Sequence, residues 1–460
     1  MHRIRFFCIF TVAALLALPN RVALADWTHL GGDAARSGLA VNAPPKINRV
    51  VWHATPLPGV EEYVGQSSPV VFDGRVYVNA RYFEDSIHFS NRIIAYAQSD
   101  GTRLWHADIE PDSFDSWATP AVDSRLSSLI IVTGRIVTAI DAQTGATIWT
   151  RQLGRDSVNV SVAISQDLTS SGQPTNRAFV TDYNPSGNAT LYAINLDAFH
   201  ASANPFQPGQ IAWTATFLKS SGNSPAYRDG RVIIASASGR IISYNARTGG
   251  APQWSTSVPT ATFFGGVAVT ATNVYAASYA FDDQLLNSRL AKLDIATGAI
   301  RWTTACERTD SIPVVAGNRI FVSGGIDGYA GTATRVQAFV DNGTNASMLW
   351  DTHVATGGQL CVGGWTAQPA YSLGRLYVGQ PASGVDFGFY QRLYVLDTTL
   401  PPTDANFVSS THVGSGGSVA IEGRVVYSIG ADGLFALTDR QLEGKSDTLP
   451  GQTVIRYDEE

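Results

Sequence analysis

The sequence predicts an all-β protein, an eight-bladed β-propeller of four-stranded antiparallel blades. Three observations predict this fold. One sequence pattern recurs about every 50 residues, its segments are rich in Val, Ile, Tyr and Phe with Gly turns between them, and the two ends of the chain each hold part of a copy. Repeats of this length in a strand-rich sequence are typical of propeller blades rather than of helical solenoids.

The recurring pattern is clearest in three copies, over residues 120–149, 225–254 and 267–302. Each copy begins with a small or proline-marked segment, continues through apolar segments joined by a tight turn, and ends with a Thr-Gly turn followed by Trp. The apolar segments have the β-branched and aromatic composition of strands, and the turns fit hairpins. Each copy therefore predicts four short strands.

A tryptophan closes most copies, and we expect it to dock its blade onto the next one. The intervals between successive tryptophans are 53, 44, 64, 41, 48 and 48 residues. No Trp follows near residue 400, where Phe407 is the nearest candidate. A large ring that recurs once per blade buries its area against a neighbour and donates its indole N–H to the backbone. These tryptophans are Trp52, Trp105, Trp149, Trp213, Trp254, Trp302 and Trp350.

The two ends of the chain complete each other. The last copy supplies three strands, around residues 418–421, 424–428 and 433–437, whereas the strand at residues 50–54 has no three strands before it. Pairing the two pieces gives an eighth blade and closes the ring, so that only short, protected edges remain. Seven blades are the alternative if the third or seventh copy is divided differently.

The N-terminus has the pattern of a secretory signal peptide. Basic residues precede an apolar run over residues 6–18, and Ala23-Leu24-Ala25 stands before Asp26. We therefore expect residues 1–25 to be removed and residues 26–460 to form a single domain. An uncleaved anchor is the alternative.

Charge and hydropathy narrow the function classes. The net charge is −6, and the expected signal peptide carries three arginines and no acid, so the remaining chain has a charge of about −9. Nucleic-acid binding is disfavoured because no Lys/Arg-rich tract occurs. No later apolar run is long enough for a transmembrane anchor, and Cys8 lies inside the apolar run, not after the cleavage site where a lipoprotein needs it. We expect an exported monomer, periplasmic or extracellular.

The repeat resembles a known family. The segment Ala139-Ile-Asp141-Ala-Gln-Thr-Gly145-Ala-Thr-Ile-Trp149 is similar to the pyrroloquinoline-quinone-like (PQQ-like) repeat of the quinoprotein alcohol dehydrogenase-like superfamily, and Leu293-Asp294 to Trp302 is nearly as similar. The opening at residues 26–38 looks like the segment that precedes the first blade in such proteins. The resemblance implies the propeller fold, which serves both dehydrogenases and non-catalytic scaffolds such as the BamB outer-membrane assembly lipoproteins.

For a dehydrogenase, the resemblance implies PQQ with calcium, adjacent cysteines on one face of the cofactor, and Trp on the other. The sequence has no Cys-Cys pair and no Cys-x-x-Cys-His haem site. No residue can be matched to the calcium ligands or to the catalytic Asp, so we assign no catalytic, cofactor-binding or metal-binding residue. A PQQ-dependent periplasmic oxidoreductase stays an alternative.

Aromatic and acidic residues concentrate in the loops that a four-stranded meander places on one face. One interpretation is structural: these residues pack onto the ring and fill its channel. The other is functional: they bind a protein partner or a carbohydrate. Cys306 and Cys361 belong to loops on the same face and are candidates either for a disulfide or for two separate buried thiols. The candidate binding residues are Trp117, Trp365, Tyr82, Phe83, Asp282, Asp283, Tyr329, Phe387 and Tyr390.

The function that the sequence favours is an exported, non-enzymatic propeller that acts as a binding or assembly scaffold through this face. A quinone-dependent dehydrogenase and a carbohydrate-binding propeller are the alternatives. A channel filled by Trp and Tyr favours the scaffold.

Overall fold

The computed structural model describes residues 26–84, 89–109, 116–279, 288–326, 333–381 and 390–440. Their strands form eight antiparallel sheets that follow one another along the chain. Each sheet is a blade, and the prediction of an eight-bladed propeller is confirmed. The expected signal peptide lies outside the described residues, so its removal stays a prediction.

The strands are numbered along the chain and grouped here by blade. Blade 1 has β2 (Glu61–Tyr63), β3 (Val70–Phe72), β4 (Arg75–Phe83), β5 (Phe89–Ala97) and β6 (Arg103–Asp108); blade 2 has β7 (Ala121–Asp123), β8 (Ser128–Asp141) and β9 (Thr147–Ser157); blade 3 has β10 (Ala163–Ile164), β11 (Arg177–Thr181), β12 (Asn184–Asn195) and β13 (Ile211–Ser220); blade 4 has β14 (Ala226–Arg228), β15 (Arg231–Ala235), β16 (Arg240–Asn245) and β17 (Gly249–Ser257).

Each of the remaining blades has four strands. Blade 5 has β18 (Ala268–Val269), β19 (Asn273–Ala277), β20 (Arg289–Asp294) and β21 (Ile300–Ala305); blade 6 has β22 (Val314–Ala316), β23 (Arg319–Gly324), β24 (Arg335–Asp341) and β25 (Ala346–Asp351), followed by helix α1 (Thr352–Ala355); blade 7 has β26 (Ala370–Ser372), β27 (Arg375–Pro381), β28 (Tyr390–Asp397) and β29 (Val408–Val413); blade 8 has β30 (Val419–Glu422), β31 (Val425–Gly430), β32 (Gly433–Thr438) and β1 (Arg49–Ala54).

Blades 1 and 2 depart from the four-strand pattern in a simple way. In blade 1 both β2 and β3 pair with β4, so two short strands share the innermost position. In blade 2 the backbone N–H of Ala142 donates to Ser127 O at 2.9 Å, which joins the two ends of β8. Strand β8 therefore folds back on itself around Gly134, whose φ is +51°, and supplies two of the expected strands.

The predicted closure is confirmed. Strand β1 pairs antiparallel with β32, with Arg49 opposite Thr438 and Ala54 opposite Leu434. The outermost strand of blade 8 thus comes from the opposite end of the chain. The ring has no open sheet between its first and last blades, which is how closed all-β folds avoid exposed edges.

The tryptophans of the repeat lie between blades, against the turn of the next blade. A Cβ added to the turn glycine would come within 2.8 Å of the indole ring at five of these contacts, so only glycine fits. Several indole N–H groups also donate to the next blade, for example Trp254 to Ile295 O at 2.9 Å. The five pairs are Trp52 with Gly101, Trp105 with Gly145, Trp149 with Gly209, Trp213 with Gly249, and Trp254 with Gly298.

Blade 7 has no tryptophan at this position. By strand register its equivalent is Ser410, which lies opposite Val395. Ser410 comes just after an irregularity in the strand pairing, as Trp350 does in blade 6. Phe407 instead receives Trp350 from blade 6, with ring centroids 5.3 Å apart. The chain leading into β1 fills the junction between blades 7 and 8, where Ile47 N–H donates to Ser410 Oγ at 2.9 Å.

A second set of contacts, which we call the axial belt, joins the blades close to the axis. One polar side chain at the start of an innermost strand accepts the backbone N–H of the equivalent residue in the preceding blade. The bonds measure 2.8–3.2 Å and run from Ser68 to Thr119, from Thr119 to Ser161, from Ser161 to Ser224, from Ile312 to Gln368, and from Gln368 to Ser418.

The axial belt is interrupted at blade 5, where Gly265 and Gly266 stand at the equivalent positions. A Cβ on Gly265 would lie 1.9 Å from Asp310 O, and one on Gly266 would lie 2.9 Å from Ser224 O. Close backbone approach therefore replaces the side-chain hydrogen bond at this junction.

We predict that Gly298→Ala destabilises the protein more than Gly343→Ala. Both glycines have positive φ, so alanine costs about 1–2 kcal/mol at either position. Only Gly298 faces an indole, with its added Cβ 2.6 Å from Trp254, whereas nothing lies within 4 Å of Gly343. Overpacking should cost a further 1–3 kcal/mol or so. Urea unfolding measures the difference; equal losses would refute the docking role of Trp254.

We also predict that Ser224→Ala lowers the free energy of unfolding by about 1–3 kcal/mol, because it leaves the buried N–H of Ser161 without its acceptor. The exposed Ser171→Ala variant is the control and should change stability little. A loss no larger than that of the control would contradict a stabilising role for the axial belt.

Candidate functional site

One end of the central channel is covered by the N-terminal segment 27–40, which we call the strap. Its backbone pairs with the inner edges of innermost strands: Trp27 with Val71 in blade 1, Thr28 with Val122 in blade 2, Ala34 with Tyr227 in blade 4, Ala35 with Val269 in blade 5, and Gly38 with Tyr371 in blade 7. These bonds satisfy backbone groups that would otherwise face the channel unpaired. The strap thus ties five blades together at the end where the short turns lie.

Arg36 extends this cover into the channel. Its side chain is fully buried, and its guanidinium donates to Ser161 O, Val162 O and Pro225 O at 2.7–3.2 Å, which belong to blades 3 and 4. Burial lowers the pKa of Arg36 to about 9, and Asp33 opposes this shift. The guanidinium remains a cation at neutral pH and places a positive charge on the axis.

Loops of the opposite face, which we call the loop face, meet above Arg36. Trp117 precedes blade 2 and Trp365 precedes blade 7, yet their ring centroids are 5.8 Å apart. Trp365 also contacts Tyr279 at 5.4 Å, and Tyr279 contacts Phe264 at 5.2 Å. We call these four residues the aromatic layer. Because blades 2 and 7 are not neighbours, the contact of their loops spans the axis.

Between the strap and the aromatic layer lies a cavity of about 70 Å³, the axial cavity. The strap contributes Leu30, and seven of the blades contribute residues that precede or begin their innermost strands. The other lining residues are Gln66, Trp117, Asn159, Ser161, Ser221, Gly222, Ser224, Phe264, Gly265, Gly266, Asp310, Ser311, Ile312, Thr366 and Gln368.

Asp310 is the acidic residue of the axial cavity. Its backbone N–H donates to Trp365 O at 2.8 Å, while its Oδ1 has no hydrogen-bond partner among the described residues. Burial raises the pKa of Asp310 to about 8. The carboxyl is therefore mostly protonated at neutral pH, because no neighbouring cation offsets the cost of its charge.

The other candidates from the sequence pack onto the ring where the structure describes them. Tyr82 is half-buried with the Arg92 guanidinium 3.8 Å from its ring centre, and Phe83 beside it is half-buried. Tyr390 is 1% exposed, and its hydroxyl lies 2.6 Å from Thr366 Oγ1. Asp282, Asp283, Tyr329 and Phe387 lie outside the described residues.

Cys306 and Cys361, both in the described part of the chain, do not form the candidate disulfide. Cys306 is buried in a core cluster with Trp302 and Val322, and burial raises the pKa of its thiol. Cys361 is partly exposed, and its thiol donates to Gly358 O at 3.4 Å. The two residues do lie in loops between blades, but they sit in different surroundings.

A larger groove of about 360 Å³ lies on the loop face between blades 7 and 8. The sequence did not predict this loop-face groove, because its polar residues follow no motif. Among the candidate binding residues, Tyr390 comes nearest to it in the chain, one position before the lining residue Gln391. Gln391, Arg392 and Asp432 are exposed, and Tyr394 donates to Gln380 Oε1 at 2.8 Å. Val413, Gly414 and Ala431 complete the lining.

The residues on the axis do not fit the quinone and calcium that the superfamily resemblance implies. An axial cavity of about 70 Å³ is far smaller than the roughly 300–1,000 Å³ of small-molecule sites, and Trp117 and Trp365 contact each other above it. Within the described ranges, no three His, Cys, Asp or Glu side chains are grouped to hold a metal ion.

We predict that the free energy of unfolding depends less on pH in the Asp310→Asn variant than in the wild type, because the variant lacks the proton that Asp310 binds. A carboxyl with a raised pKa in the folded state stabilises it fully below its unfolded pKa, near 4, and this contribution is lost as pH rises toward about 8. Between these values the wild type should lose stability more steeply than the variant. Urea unfolding at pH 5, 6, 7 and 8 measures the slopes; parallel slopes would show that Asp310 is ionised in the folded protein.

Comparison with known proteins identifies the family. A family model described as outer membrane protein assembly factor BamB matches residues 34–249, 197–286 and 246–399. No curated protein matches the chain.

Solved structures show the same fold. BamB from Moraxella catarrhalis is 19% identical with a TM-score of 0.57, and the match covers 84% of this chain and 98% of that one. A europium-containing methanol dehydrogenase is 11% identical with a TM-score of 0.61, over 90% and 89% of the two chains. The quinohemoprotein alcohol dehydrogenase from Comamonas testosteroni is 12% identical with a TM-score of 0.61, over 94% and 83%.

The three structures are a BamB and two dehydrogenases, so the propeller fold alone does not indicate a function. The matched ranges of the family model together run from residue 34 to residue 399, well over half of the chain. The chain therefore belongs to the family of outer membrane protein assembly factor BamB.

Proposed function

We propose that this protein is an exported, non-enzymatic propeller that acts as an assembly scaffold by binding a partner protein through its loop face. The observation that carries the proposal is the filled channel. Arg36 and the strap close one end, and the aromatic layer covers the other, so the axis leaves about 70 Å³. A propeller without a large axial pocket has its outer surface left for recognition.

The loop-face groove is the part of that surface that best suits a protein partner. It offers the exposed cation Arg392, the exposed anion Asp432 and the exposed apolar side chain of Val413, which is 61% accessible. Such a mixture of charge and apolar area is typical of non-obligate protein interfaces. The family name supplies the setting, in which the partner is a component of outer-membrane protein assembly.

Export and a periplasmic location are part of the proposal. The sequence before Asp26 has the pattern of a signal peptide. In the described part of the chain, no helix is both long and apolar enough to cross a bilayer.

Carbohydrate binding has less support in the described residues. A sugar site needs flat aromatic faces open to solvent, whereas Trp117 and Trp365 contact each other and Tyr390 is buried. A dehydrogenase would need the aromatic layer to separate before a quinone could enter the axis.

We predict that a photo-cross-linking residue at Arg392 captures a discrete partner in cells that export the protein. The matched control is Arg247, an exposed arginine in the turn between β16 and β17, on the face opposite the loops. An adduct from Arg392 but not from Arg247, containing an outer-membrane assembly component, is the expected result.

Charge reversal tests the same surface independently. Arg392→Glu should weaken binding of the captured partner on the order of tenfold, with a marked dependence on salt, because rim charges set electrostatic complementarity. Arg247→Glu should leave binding unchanged. Equal effects at the two positions, or adducts from both, would refute a loop-face interface.

A further inference from the structure

The axial cavity gathers buried polar atoms that no described residue satisfies. Both amide atoms of Gln66, Nε1 of Trp117, Oγ of Ser221 and Oδ1 of Asp310 are buried without a hydrogen-bond partner among the described residues. All four residues line this one cavity, and Gln66 is only 5% exposed. Native proteins leave few buried polar groups unsatisfied, because each costs free energy. A cluster of them around one space indicates an occupant.

The chemistry of these atoms favours a ligand that accepts hydrogen bonds. The indole N–H of Trp117 can only donate, and the amide nitrogen of Gln66 and the hydroxyl of Ser221 are further donors. Asp310 adds a fourth donor when its carboxyl is protonated, and the donors come from four different blades. This set of donors favours an acceptor with a negative charge, because hydrogen bonds to an ionised acceptor are stronger than those to a neutral one.

The volume limits the size of this anion. About 70 Å³ holds roughly two water molecules at about 30 Å³ each, which corresponds to three or four non-hydrogen atoms. A planar group with two acceptor oxygens can reach donors that come from different blades, which a spherical ion cannot do as well.

We propose that the axial cavity binds a small carboxylate anion of the size of formate or acetate, held by the N–H groups of Gln66 and Trp117 and by the hydroxyl of Ser221. The protonated carboxyl of Asp310 donates a further hydrogen bond to the ligand. Burial holds the pKa of Asp310 at about 8, with no charged side chain contributing, so the proton is present at neutral pH. This site is independent of the loop-face groove.

The test is calorimetric titration of the mature chain with sodium formate and sodium acetate at pH 6.5, with sodium chloride and sodium butyrate as probes of charge alone and of size. Saturable one-to-one binding of formate or acetate, without butyrate binding, is the expected result. Gln66→Leu and Trp117→Phe should each weaken it about tenfold or more, since each removes a hydrogen bond to a charged group. Gln143→Leu, at an exposed glutamine outside the cavity, should have no effect.

Measuring the affinity of the wild type at several pH values tests the proposal even if a variant fails to fold. Wild-type affinity should fall between pH 6.5 and pH 9 as Asp310 ionises and repels the ligand, whereas Asp310→Asn should bind equally at both values. The proposal is overturned if formate and acetate give no saturable heat, if butyrate or chloride binds as well, or if wild-type affinity does not change with pH. A crystal structure grown with formate that shows only water in the cavity would also overturn it.

Discussion

The ring depends on how its blades satisfy one another's backbone groups around the axis. In the axial belt, a hydroxyl or amide of one blade accepts the N–H of the blade before it, as Ser161 does for Thr119. No blade that takes part is complete without its neighbour, and a missing acceptor would leave a polar group buried in the centre. Farther from the axis the tryptophans also make each blade depend on its neighbour, because the indole rings pack against the turn glycines of the next blade. Blade order and spacing are thereby fixed at two radii.

The elements that could be predicted from the sequence are those that repeat. The Thr-Gly turns and Trp recur at blade length because each junction has the same geometry, and this periodicity was enough to predict eight blades and the closure by β1. Blade 7 shows the limit of the pattern. Ser410 occupies the equivalent position there, and only the strand register reveals it; the segment that leads into β1 fills the space.

The axial site could not be predicted in the same way. Trp117 and Trp365 were among the candidate binding residues, but their contact joins loops of blades 2 and 7 and follows no period. The opening at residues 26–38 resembled the segment that precedes the first blade, but nothing in it indicated that the strap covers the channel or that Arg36 is buried. Gln66 belongs to no motif. The sequence left open whether Cys306 and Cys361 pair for a related reason: spacing placed both in loops between blades, but it carries no information about how each side chain is packed.

Closure by β1 has a consequence for how the molecule is made. His53 and Asp432 touch across the last blade although they are 379 residues apart in sequence. Contacts of such separation form late and slowly, because the entropy of bringing distant segments together is lost before the contact repays it. Until β32 has been synthesised, β1 has no partner and the partial ring has exposed strand edges at both ends. Before closure the protein is therefore an arc with two open strand edges, and shielding those edges during folding would reduce its tendency to aggregate.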